Sequence, residues 1–484
     1  MARRTKIVAT LGPSTDDPRV LDDLICAGVD VVRLNLSHDS HEAHRRRAER
    51  VRDRAWASGR QVGLLADLQG PKIRIGAFRT GSVLLEDAAP FCLDIDWDLT
   101  AGTPERVGVT YRDLIKDVAR GDILLLDDGA IQLRVREVVG SEVRCKVLAG
   151  GTLSDHKGLN RLGGGLSAPA LTDKDRADLR FCAEIDADYL AVSFVRNAED
   201  VRLARDLFRA AGGKGGIVAK IERAEAVTNI KEIIEVSDAV MIARGDLGVE
   251  IGDAKLPAEQ KRIIKLARSL NSVVITATQM MQSMIAHPVP TRAEVFDVAN
   301  AVLDGTDAVM LSAETSIGKY PARAVEAMGG ICHEAEKDRL ATTSTHRLDS
   351  VFGRVDEAIA MAAMYTANHL GVKAIAALTE TGSTVKWMSR ISSGIPIYAL
   401  TRHVATRRKV TLYRGVYPVS FDVVSTDYRK VNEEVIEELF RRGAVREDDL
   451  VIISKGDQSG VEGQTNLMKI MRVGEHLIPR DDGD

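Results

Sequence analysis

The sequence is poor in aromatic residues, and neither sign of charge dominates it. Phenylalanine, tyrosine and tryptophan make up 4% of the 484 residues, which leaves few rings for stacking on nucleic-acid bases. The net charge is -4, from 66 basic and 70 acidic residues, whereas proteins dedicated to nucleic acid or to an anionic membrane surface are strongly basic. We therefore expect neither nucleic acid nor a membrane among its partners.

The sequence also has few cysteines and lacks long apolar runs. Its five cysteines are scattered and form no Cys-x-x-Cys pair, which argues against a zinc or iron–sulfur centre and against a disulfide framework. No apolar run approaches the ~20 residues of a membrane-spanning helix. The basic start is followed only by residues 7–11 before Gly12-Pro13, too few for the apolar core of a signal peptide. A cytoplasmic location is expected.

The dominant pattern is a short apolar run followed by a helical pattern, repeated along much of the chain. Its length fits about three domains of roughly 150 residues each. The runs are nearly continuous, as in parallel strands buried on both faces. They lie at 6–12, 31–37, 62–68, 189–194, 216–222, 239–245, 273–279 and 308–314. Eight strands alternating with helices predict a (β/α)₈ barrel; a doubly wound open sheet of about five or six strands is the alternative.

This alternation breaks between the third and fourth runs. Short strand-like segments occur there at 72–77, 107–110, 123–126, 131–139 and 143–148. The turns Asp127-Asp128-Gly129 and Gly140-Ser141 predict hairpins between them. A polar stretch at 337–349 predicts a linker, after which strands and helices alternate again. We predict an α/β protein with a barrel (1–70 and 169–338), a small antiparallel β domain inserted after strand 3 (71–168) and a C-terminal α/β domain (350–484).

Polar side chains follow the predicted barrel strands at positions where a core would favour apolar ones. The active site of such a barrel lies at the carboxyl ends of its strands, so these side chains are expected to converge. A single strand end could carry an ordinary salt bridge, but six strand ends together predict an active site. The candidates are Arg33, Asn35, Ser37, Asp67, Lys220, Glu222, Arg244, Asp246, Thr276, Thr278, Gln279, Ser312 and Glu314.

The chemistry of these residues indicates a metal-assisted reaction on an anion. Glu222 and Asp246, without clustered cysteine or histidine, favour a hard cation such as Mg²⁺ or Mn²⁺. Arg33, Lys220 and Arg244 add positive charge, which suits a phosphorylated substrate chelated to the metal. Lys220 is predicted to stabilise charge on a transferring group or an enolate.

Two further candidates concern a substrate carboxylate. Gly245 would allow backbone N–H groups to approach a carboxylate closely, although an ordinary strand-to-helix turn would also use a glycine. Thr278 lies in an apolar run where a buried strand would not favour a hydroxyl. We expect that hydroxyl to bind a substrate carboxylate or to relay a proton.

Motifs along the chain together resemble the pyruvate kinase family. They are KIVATLGP (6–13), VRLNLSH (32–38), QGPKIR (69–74), AKIE (219–222), MIARGDLGVE (241–250), TATQMMQSMI (276–285) and MLSAET (310–315). The resemblance extends through all three predicted domains. The run DLQGPK (67–72) is most similar to the bacterial type II isozymes.

The resemblance implies transfer of a phosphoryl group from phosphoenolpyruvate to ADP, giving pyruvate and ATP in the last step of glycolysis. It implies that Glu222 and Asp246 hold Mg²⁺ or Mn²⁺. Lys220 would stabilise the phosphoryl transition state and the enolate, and Arg33 would bind the transferring phosphate.

It also implies the remaining substrate contacts. Gly245, Asp246 and Thr278 would line the carboxylate of pyruvate, with Thr278 near the face where the enolate takes its proton. Arg74 and Lys157 would contact the nucleotide phosphates.

A monovalent-cation site is the feature in which this chain departs from many relatives. In the family the positions of Asn35, Ser37, Asp67 and the Leu68 carbonyl form a K⁺ site. Many members have Asp-Thr-Lys-Gly-Pro-Glu-Ile-Arg where this chain has DLQGPKIR (67–74). Lys72 therefore replaces a glutamate whose charge K⁺ balances, and we expect Lys72 to act as an internal cation that makes K⁺ unnecessary. The alternative is that Lys72 points to solvent from the hinge of the inserted domain.

The C-terminal domain contains a candidate effector site. The segment TETGST (379–384) follows a predicted strand and begins a helix, and its hydroxyls and backbone N–H groups suit a phosphate. Its candidate residues are Thr379, Thr381, Gly382, Ser383 and Thr384. An ordinary helix cap is the alternative. The resemblance implies a phosphorylated allosteric effector, either AMP or a sugar phosphate, with the loop 455–463 contributing, and a homotetramer.

Two other functions are considered against this one. A Mg²⁺-dependent lyase or aldolase acting through a pyruvate enolate would use similar carboxylates, but would not need Arg74 and Lys157 on an inserted domain. A metabolite-sensing protein without catalytic activity would be expected to lose Lys220, Glu222 or Asp246, and all three are present.

Overall fold

The computed structural model describes residues 3–342, 351–423, 425, 427–457 and 463–475, and its main unit is a closed barrel of eight parallel strands. Each strand pairs with the next along the chain, and the eighth pairs with the first, aligning Ile7 with Val309. The strands are Lys6–Thr10, Val31–Asn35, Gly63–Asp67, Tyr189–Val192, Gly216–Ile221, Ala239–Ala243, Val273–Ala277 and Ala308–Leu311. This confirms the predicted (β/α)₈ barrel.

The strands are buried on both faces. In the third strand Leu64 and Ala66 pack in the cluster shared with the surrounding helices, whereas Leu65 packs in a second cluster with residues of the other strands. This double burial accounts for the nearly continuous apolar runs. Each predicted strand nevertheless extends one to three residues beyond the observed carboxyl end.

Helices surround the barrel, and several of them begin at a side chain that caps the first turn. Asp17 caps one helix, and Thr172 and Thr291 form capping boxes with Asp175 and Glu294. The α-helices are Pro18–Cys26, His41–Ala57, Asp173–Glu184, Ala198–Ala210, Ala224–Thr228, Ile230–Glu235, Arg244–Ile251, Leu256–Ser269, Arg292–Asp304, Ala313–Ser316 and Pro321–Ala335. Short 3₁₀ helices occur at Pro13–Thr15, Gln282–Ile285 and Arg339–Ala341. In the described part of the chain, no helix has the length and apolar content to cross a membrane.

The segment between the third and fourth barrel strands forms a small β domain, as predicted. Its strands are Ser82–Leu85, Pro90–Asp94, Arg106–Gly108, Ile123–Leu126, Ile131–Val139, Glu142–Ala149, Gly151–Ser154 and Leu159–Arg161, with a short helix at Leu114–Asp117. They form sheets of six and two strands, antiparallel except where Pro90–Asp94 pairs with Arg106–Gly108. Both predicted hairpins are present. The predicted strand at 72–77 is wrong, because only isolated bridges at Arg74 and Ile75 form there.

The C-terminal domain is a separate five-stranded sheet with helices, as predicted. In spatial order its strands are Val416–Ser420, Ile397–Thr401, Ala374–Leu378, Leu450–Gly456 and Thr465–Arg472, of which the last is antiparallel. Its helices are Val355–Leu370, Ser383–Ser389, Val404–Lys409, Val410–Leu412 and Tyr428–Arg441. Most of the predicted linker (343–349) and the middle of the second predicted effector loop (458–462) lie outside the described residues.

The C-terminal domain packs against the amino ends of the barrel strands. The Lys6 ammonium donates to the Val416 carbonyl at 2.6 Å, and the Tyr189 hydroxyl donates to the Lys409 carbonyl at 2.7 Å. Lys6 and Tyr189 each begin a barrel strand. The carboxyl ends of the strands are therefore at the opposite end of the barrel from this interface.

Candidate active site

Lys220, in the fifth barrel strand, lies between two carboxylates at the mouth. Its Nζ is 2.7 Å from Glu222 Oε1 and 3.4 Å from Asp67 Oδ1, and it donates to Ser193 Oγ at 2.7 Å. The residue is only 9% exposed. Burial alone would lower the pKa of Lys220, but the charges of Asp67 and Glu222 raise it above its ordinary value. Lys220 is therefore a fixed positive charge at neutral pH.

Asp67 joins Lys220 to Arg33. The Arg33 Nε donates to Asp67 Oδ2 at 2.7 Å, and its Nη1 donates to Thr10 Oγ1 at 3.0 Å. Burial by itself would raise the pKa of Asp67, but Lys220 and Arg33 lower it below its ordinary value. The ionised carboxylate thus orients two cations at the end of the barrel.

Glu222 and Asp246 are two carboxylates whose charges interact. Glu222 is buried, and its Oε2 accepts the Phe194 N–H at 2.7 Å. Asp246 lies in the first turn of the helix Arg244–Ile251. Burial and then the charge of Glu222 raise the pKa of Asp246 to about 6. This repulsion is what a bound cation would relieve.

The donor set fits a divalent cation. Both candidates offer carboxylate oxygens, the ligands that Mg²⁺ prefers, and Mg²⁺ commonly takes only one or two protein carboxylates beside substrate phosphates and water. Over the described ranges no group of three or more His, Cys, Asp or Glu side chains forms a complete metal cage. Two carboxylates of this kind suit a metal that shares its coordination with a substrate.

The turn after the seventh strand brings Thr278 to Gly245. Thr278 and Gln279 have φ values of +67° and +53°, in the left-handed region that a β-branched residue rarely adopts. Thr278 Oγ1 accepts the Gly245 N–H at 2.9 Å and donates to the Ala277 carbonyl at 2.7 Å. The strained backbone thus fixes the position of the Thr278 hydroxyl.

Arg244 has a different position from the one predicted beside the metal carboxylates. Its guanidinium forms two 2.7 Å contacts with the carboxylate of Asp297, and it donates to the backbone carbonyls of Thr278 at 2.7 Å and Gln279 at 3.2 Å. The segment predicted as a turn after Arg244 is instead helical from that residue onward. Arg244 therefore holds the strained turn.

A cleft of about 330 Å³ lies between the barrel mouth and the inserted domain. Arg74 and Lys157, the predicted nucleotide contacts, line it together with Lys72 and Asp246. The Arg74 Nη1 donates to the His156 carbonyl at 2.7 Å. Lys157 Nζ lies 2.8 Å from an oxygen of Asp127. One cleft thus contains the basic residues of the inserted domain and a carboxylate of the candidate metal site.

The comparison with known proteins agrees with this fold. A family model described as the barrel domain of pyruvate kinase matches residues 2–325, and a model of the alpha/beta domain of pyruvate kinase matches residues 357–471. The chain belongs to the pyruvate kinase family. Pyruvate kinase II of Salmonella typhimurium is 54% identical over 475 residues, which cover 97% of this chain and 99% of that protein. The pyruvate kinases of Haemophilus influenzae and Mycobacterium tuberculosis are 50% and 41% identical, over 97% and 98% of this chain and 99% of each relative.

Membership of the pyruvate kinase family makes this chain a phosphotransferase. Proteins of the family generally use a divalent metal, which agrees with the oxygen donors described above. The identity with the Salmonella protein confirms the resemblance to bacterial type II pyruvate kinases.

The residues at the predicted monovalent-cation site already have partners within the protein. Asn35 Oδ1 accepts the Ser37 N–H at 3.3 Å, and the Leu68 carbonyl accepts the Ser193 hydroxyl at 2.7 Å. Lys72 is an exposed residue that lines the cleft. Burial and then the cations Arg74 and Lys220 lower the pKa of Lys72, whereas Asp246 and Glu222 act in the opposite direction. Lys72 is thus electrostatically coupled to the carboxylate pair.

The predicted effector loop has a defined conformation. Gly382 has φ +84°, in the left-handed region, and its N–H donates to Thr379 Oγ1 at 2.9 Å. The hydroxyl oxygens of Thr381 and Ser383 are 2.8 Å apart, and Thr384 is buried. The helix that starts at Ser383 has no side-chain hydrogen bond from its cap residue. That cap residue is Gly382, which has no side chain, so an ordinary helix cap is still the alternative to an effector site.

Two residues that contact the site were not predicted from the sequence. Ser193 connects Lys220 to the Leu68 carbonyl, and the Phe194 N–H holds Glu222. Ser193 is a polar residue that follows the fourth strand, so the rule that singled out the other strand ends could have found it, whereas Phe194 contacts Glu222 through its backbone and carries no such signal. Asp297, which pairs with Arg244, lies within a helix and has no comparable signal.

Proposed function

We propose that this enzyme transfers the phosphoryl group of phosphoenolpyruvate to ADP, giving pyruvate and ATP. The observation that carries the proposal is the position of Lys220. Its ammonium contacts Glu222 and Asp67 at the mouth, and the adjoining cleft is lined by Asp246 and by Arg74 and Lys157 of the inserted domain. Such a cleft can hold a phosphorylated substrate on one side of its positively charged side chains and a nucleotide on the other.

In the proposed reaction Arg33 and Lys220 bind and stabilise the transferring phosphoryl group. Phosphoryl transfer depends mainly on positioning and on positive charge held where negative charge spreads in the transition state. Both side chains are oriented by Asp67 before substrate binds, so little reorganisation is needed. Lys220 then faces the enolate oxygen that the departing phosphoryl group leaves behind.

The carboxylates of Glu222 and Asp246 are proposed to hold Mg²⁺ or Mn²⁺. A divalent cation there would neutralise charge on phosphate oxygens of the substrates. Arg74 and Lys157 would orient the nucleotide phosphates from the inserted domain, with Lys157 exchanging its contact with Asp127 for them.

Thr278 and Gly245 are proposed to position the carboxylate of the substrate. The enolate must take one proton at its methylene carbon to become pyruvate. The Thr278 Oγ–H, fixed by the strained turn and now donated to a backbone carbonyl, is the group we assign near that carbon. Arg244 acts indirectly, by holding the carbonyls of Thr278 and Gln279.

The function is tested by following pyruvate formation from phosphoenolpyruvate with and without ADP. The proposal requires pyruvate that appears only with ADP, with ATP formed in equal amount. Pyruvate released from other substrates without ADP would favour the Mg²⁺-dependent lyase or aldolase. Binding without turnover would favour the metabolite sensor.

Substitutions of the metal carboxylates should change the metal requirement. Glu222→Gln and Asp246→Asn should each raise the Mg²⁺ concentration needed for half-maximal activity at least tenfold, because each removes a charged ligand. The control is Glu250→Gln, which neutralises a carboxylate that lines the same cleft but binds the Ala224 N–H. The requirement should stay within about twofold in that variant. If the Mg²⁺ concentration for half-maximal activity is unchanged in both variants, the metal binds elsewhere.

We further propose that the loop of Thr379, Thr381, Gly382, Ser383 and Thr384 binds a phosphorylated activator, either AMP or a sugar phosphate. The hydroxyl oxygens of Thr381 and Ser383 lie 2.8 Å apart, and an arginine and a histidine are near. Glu380, within the loop, contacts His403 and lies 4.0 Å from Arg402. A phosphate could replace this carboxylate as their partner.

Ser383→Glu should abolish activation by AMP or by a sugar phosphate while leaving activity without effector within about twofold. The added carboxylate would repel a phosphate in the loop. Ser58→Glu adds the same charge on an exposed helix end of the barrel and should leave activation intact. Activation of Ser383→Glu with normal half-saturation, measured by titrating each effector, would place the effector site outside this loop.

A cytoplasmic homotetramer remains our prediction for the working state. Exposed apolar side chains support association of copies. Val289, Phe296 and Ile317, on and next to the barrel helices, are 67%, 69% and 62% exposed. Exposed apolar side chains that lie close together occur more often in contact surfaces between proteins than on surfaces that face only solvent.

A further inference from the structure

A small cavity at the interface of the barrel and the C-terminal domain is lined by four arginines. It measures about 20 Å³, which is enough for one water-sized occupant. Arg4 and Arg268 come from the barrel side, and Arg390 and Arg414 come from the C-terminal domain. Asp307 is the one carboxylate residue among its lining residues. The lining therefore carries more positive than negative charge.

Asp307 is already committed to other groups. The Arg390 guanidinium forms a bidentate contact with it, with Nη1 to Oδ2 at 2.9 Å, and both side chains are 1–2% exposed. Its oxygens also accept the backbone N–H groups of Val274 at 3.0 Å and Arg414 at 3.2 Å. This carboxylate neutralises Arg390 and has little capacity left for the other cations.

Arg268 and Arg414 bond only to neutral oxygens in the described part of the chain. The Arg268 Nη2 donates to the Arg390 carbonyl at 3.1 Å and to Ser392 Oγ at 2.9 Å. The Arg414 Nη1 donates to the carbonyls of Val302 at 3.1 Å and Thr306 at 3.3 Å. Neither guanidinium lies within 4 Å of a carboxylate of a described residue. Both side chains are partly buried, and the carboxylates that act on them, Asp307 on both and Glu336 on Arg414, do so from beyond 4 Å, so a closer acceptor is expected.

Two local features indicate where that partner would lie. The Arg414 Nη2 is buried and has no hydrogen-bond acceptor among the described residues. Gly305, in the lining, has φ +94°, and a Cβ there would be 2.3 Å from Arg268 Nη1, so glycine leaves room for this guanidinium. Burial, and then the charges of Arg414 and Arg390, lower the pKa of Arg268 to about 10, whereas Asp307 acts in the opposite direction.

We propose that this cavity binds one small inorganic anion of the chloride class, held by the guanidinium groups of Arg268 and Arg414. The anion would accept from the free N–H of Arg414 and would supply the counter-charge that Asp307 cannot. Because Arg268 belongs to the barrel and Arg414 to the C-terminal domain, it would join the two domains.

Crystals of the full chain soaked in bromide test the site directly, because bromide replaces chloride and gives an anomalous signal. We expect an anomalous peak within about 4 Å of Arg414 Nη2, at N–H···anion distance from Arg268. Crystals that show bromide elsewhere but none in this cavity would overturn the proposal. This measurement needs no variant and is independent of whether a substituted protein folds.

Thermal unfolding in potassium chloride against potassium gluconate, at one ionic strength, tests the site in solution. A ligand that binds only the folded state raises the unfolding midpoint, and we expect a rise of roughly 2–4 °C at saturating chloride. Arg414→Met should lose this rise. Arg408→Met is the matched control, since Arg408 lies at the same interface but pairs with Asp186, and it should keep the rise. Chloride could raise the unfolding midpoint equally in Arg414→Met and in the unmodified protein, or it could fail to raise it in the unmodified protein. Either result would show that any ion in the cavity is an adventitious ion only.

Discussion

Lys220→Met is expected to reduce the turnover number at least 10³-fold while the protein remains folded. Methionine keeps much of the length of the side chain and removes its charge. In a preorganised site one oriented group is worth about 10²–10³ in rate, and Lys220 is proposed to act on both the phosphoryl group and the enolate. The ammonium is held by Glu222 and Asp67, so a solvent cation would not easily replace it.

The same substitution leaves Asp67 and Glu222 as buried carboxylates with less positive charge nearby. Removing one member of a buried charged pair costs about 3–5 kcal/mol of stability, so circular dichroism and the unfolding midpoint must accompany the kinetics. Lys214→Met is the matched control, because Lys214 is exposed just before the same strand. It should retain full turnover. A folded Lys220→Met protein with more than a tenth of normal turnover would remove Lys220 from the chemistry.

The barrel could be predicted because its strands are buried on both faces. The residues next to Leu64 and Val240 are apolar without interruption. Such a pattern is typical of a strand that is buried on both faces. The error was at the carboxyl ends, where Arg244 and Ala313 already belong to helices. The sequence pattern cannot distinguish the last residue of a strand from the first functional residue after it, because both belong to the same predicted run.

The inserted domain was predicted less completely for a different reason. Its strands Gly151–Ser154 and Leu159–Arg161 are three or four residues long, too short for an alternating pattern to stand out. The segment at 72–77 has the composition of a strand, but only Arg74 and Ile75 make bridges. Pairing partners distant in sequence, rather than local propensity, decide such short elements.

The site residues were predictable as a set, but their individual contacts were not. Charged residues at strand ends indicated a metal and an anion, and the structure brings Lys220, Glu222 and Asp67 together. The sequence could not show that Arg244 pairs with Asp297 on a neighbouring helix. That pairing depends on tertiary packing and leaves no pattern in the sequence near Arg244.

The second large effect concerns the monovalent cation. We expect this enzyme to retain near-full activity without K⁺ or NH₄⁺, because it carries Lys72 where many relatives carry a glutamate. The charge of Lys72 acts on Asp246 and Glu222, and the other predicted ligands already have partners, since Asp67 contacts Arg33. A second cation about 4 Å from a fixed ammonium would meet repulsion of order 1–4 kcal/mol at effective dielectric constants between those of water and a protein surface.

Lys72→Glu should therefore create a K⁺ requirement of tenfold or more, if necessary with Leu68→Thr and Gln69→Lys added to complete the relatives' sequence. Steady-state rates in tetramethylammonium buffer, with and without KCl, measure it. Lys231→Glu reverses an exposed charge on an outer helix and should leave the enzyme indifferent to K⁺. If K⁺ activates the unmodified enzyme tenfold or more, then Lys72 does not replace the cation. In that case K⁺ must displace the present partners of Asp67 and of the Leu68 carbonyl.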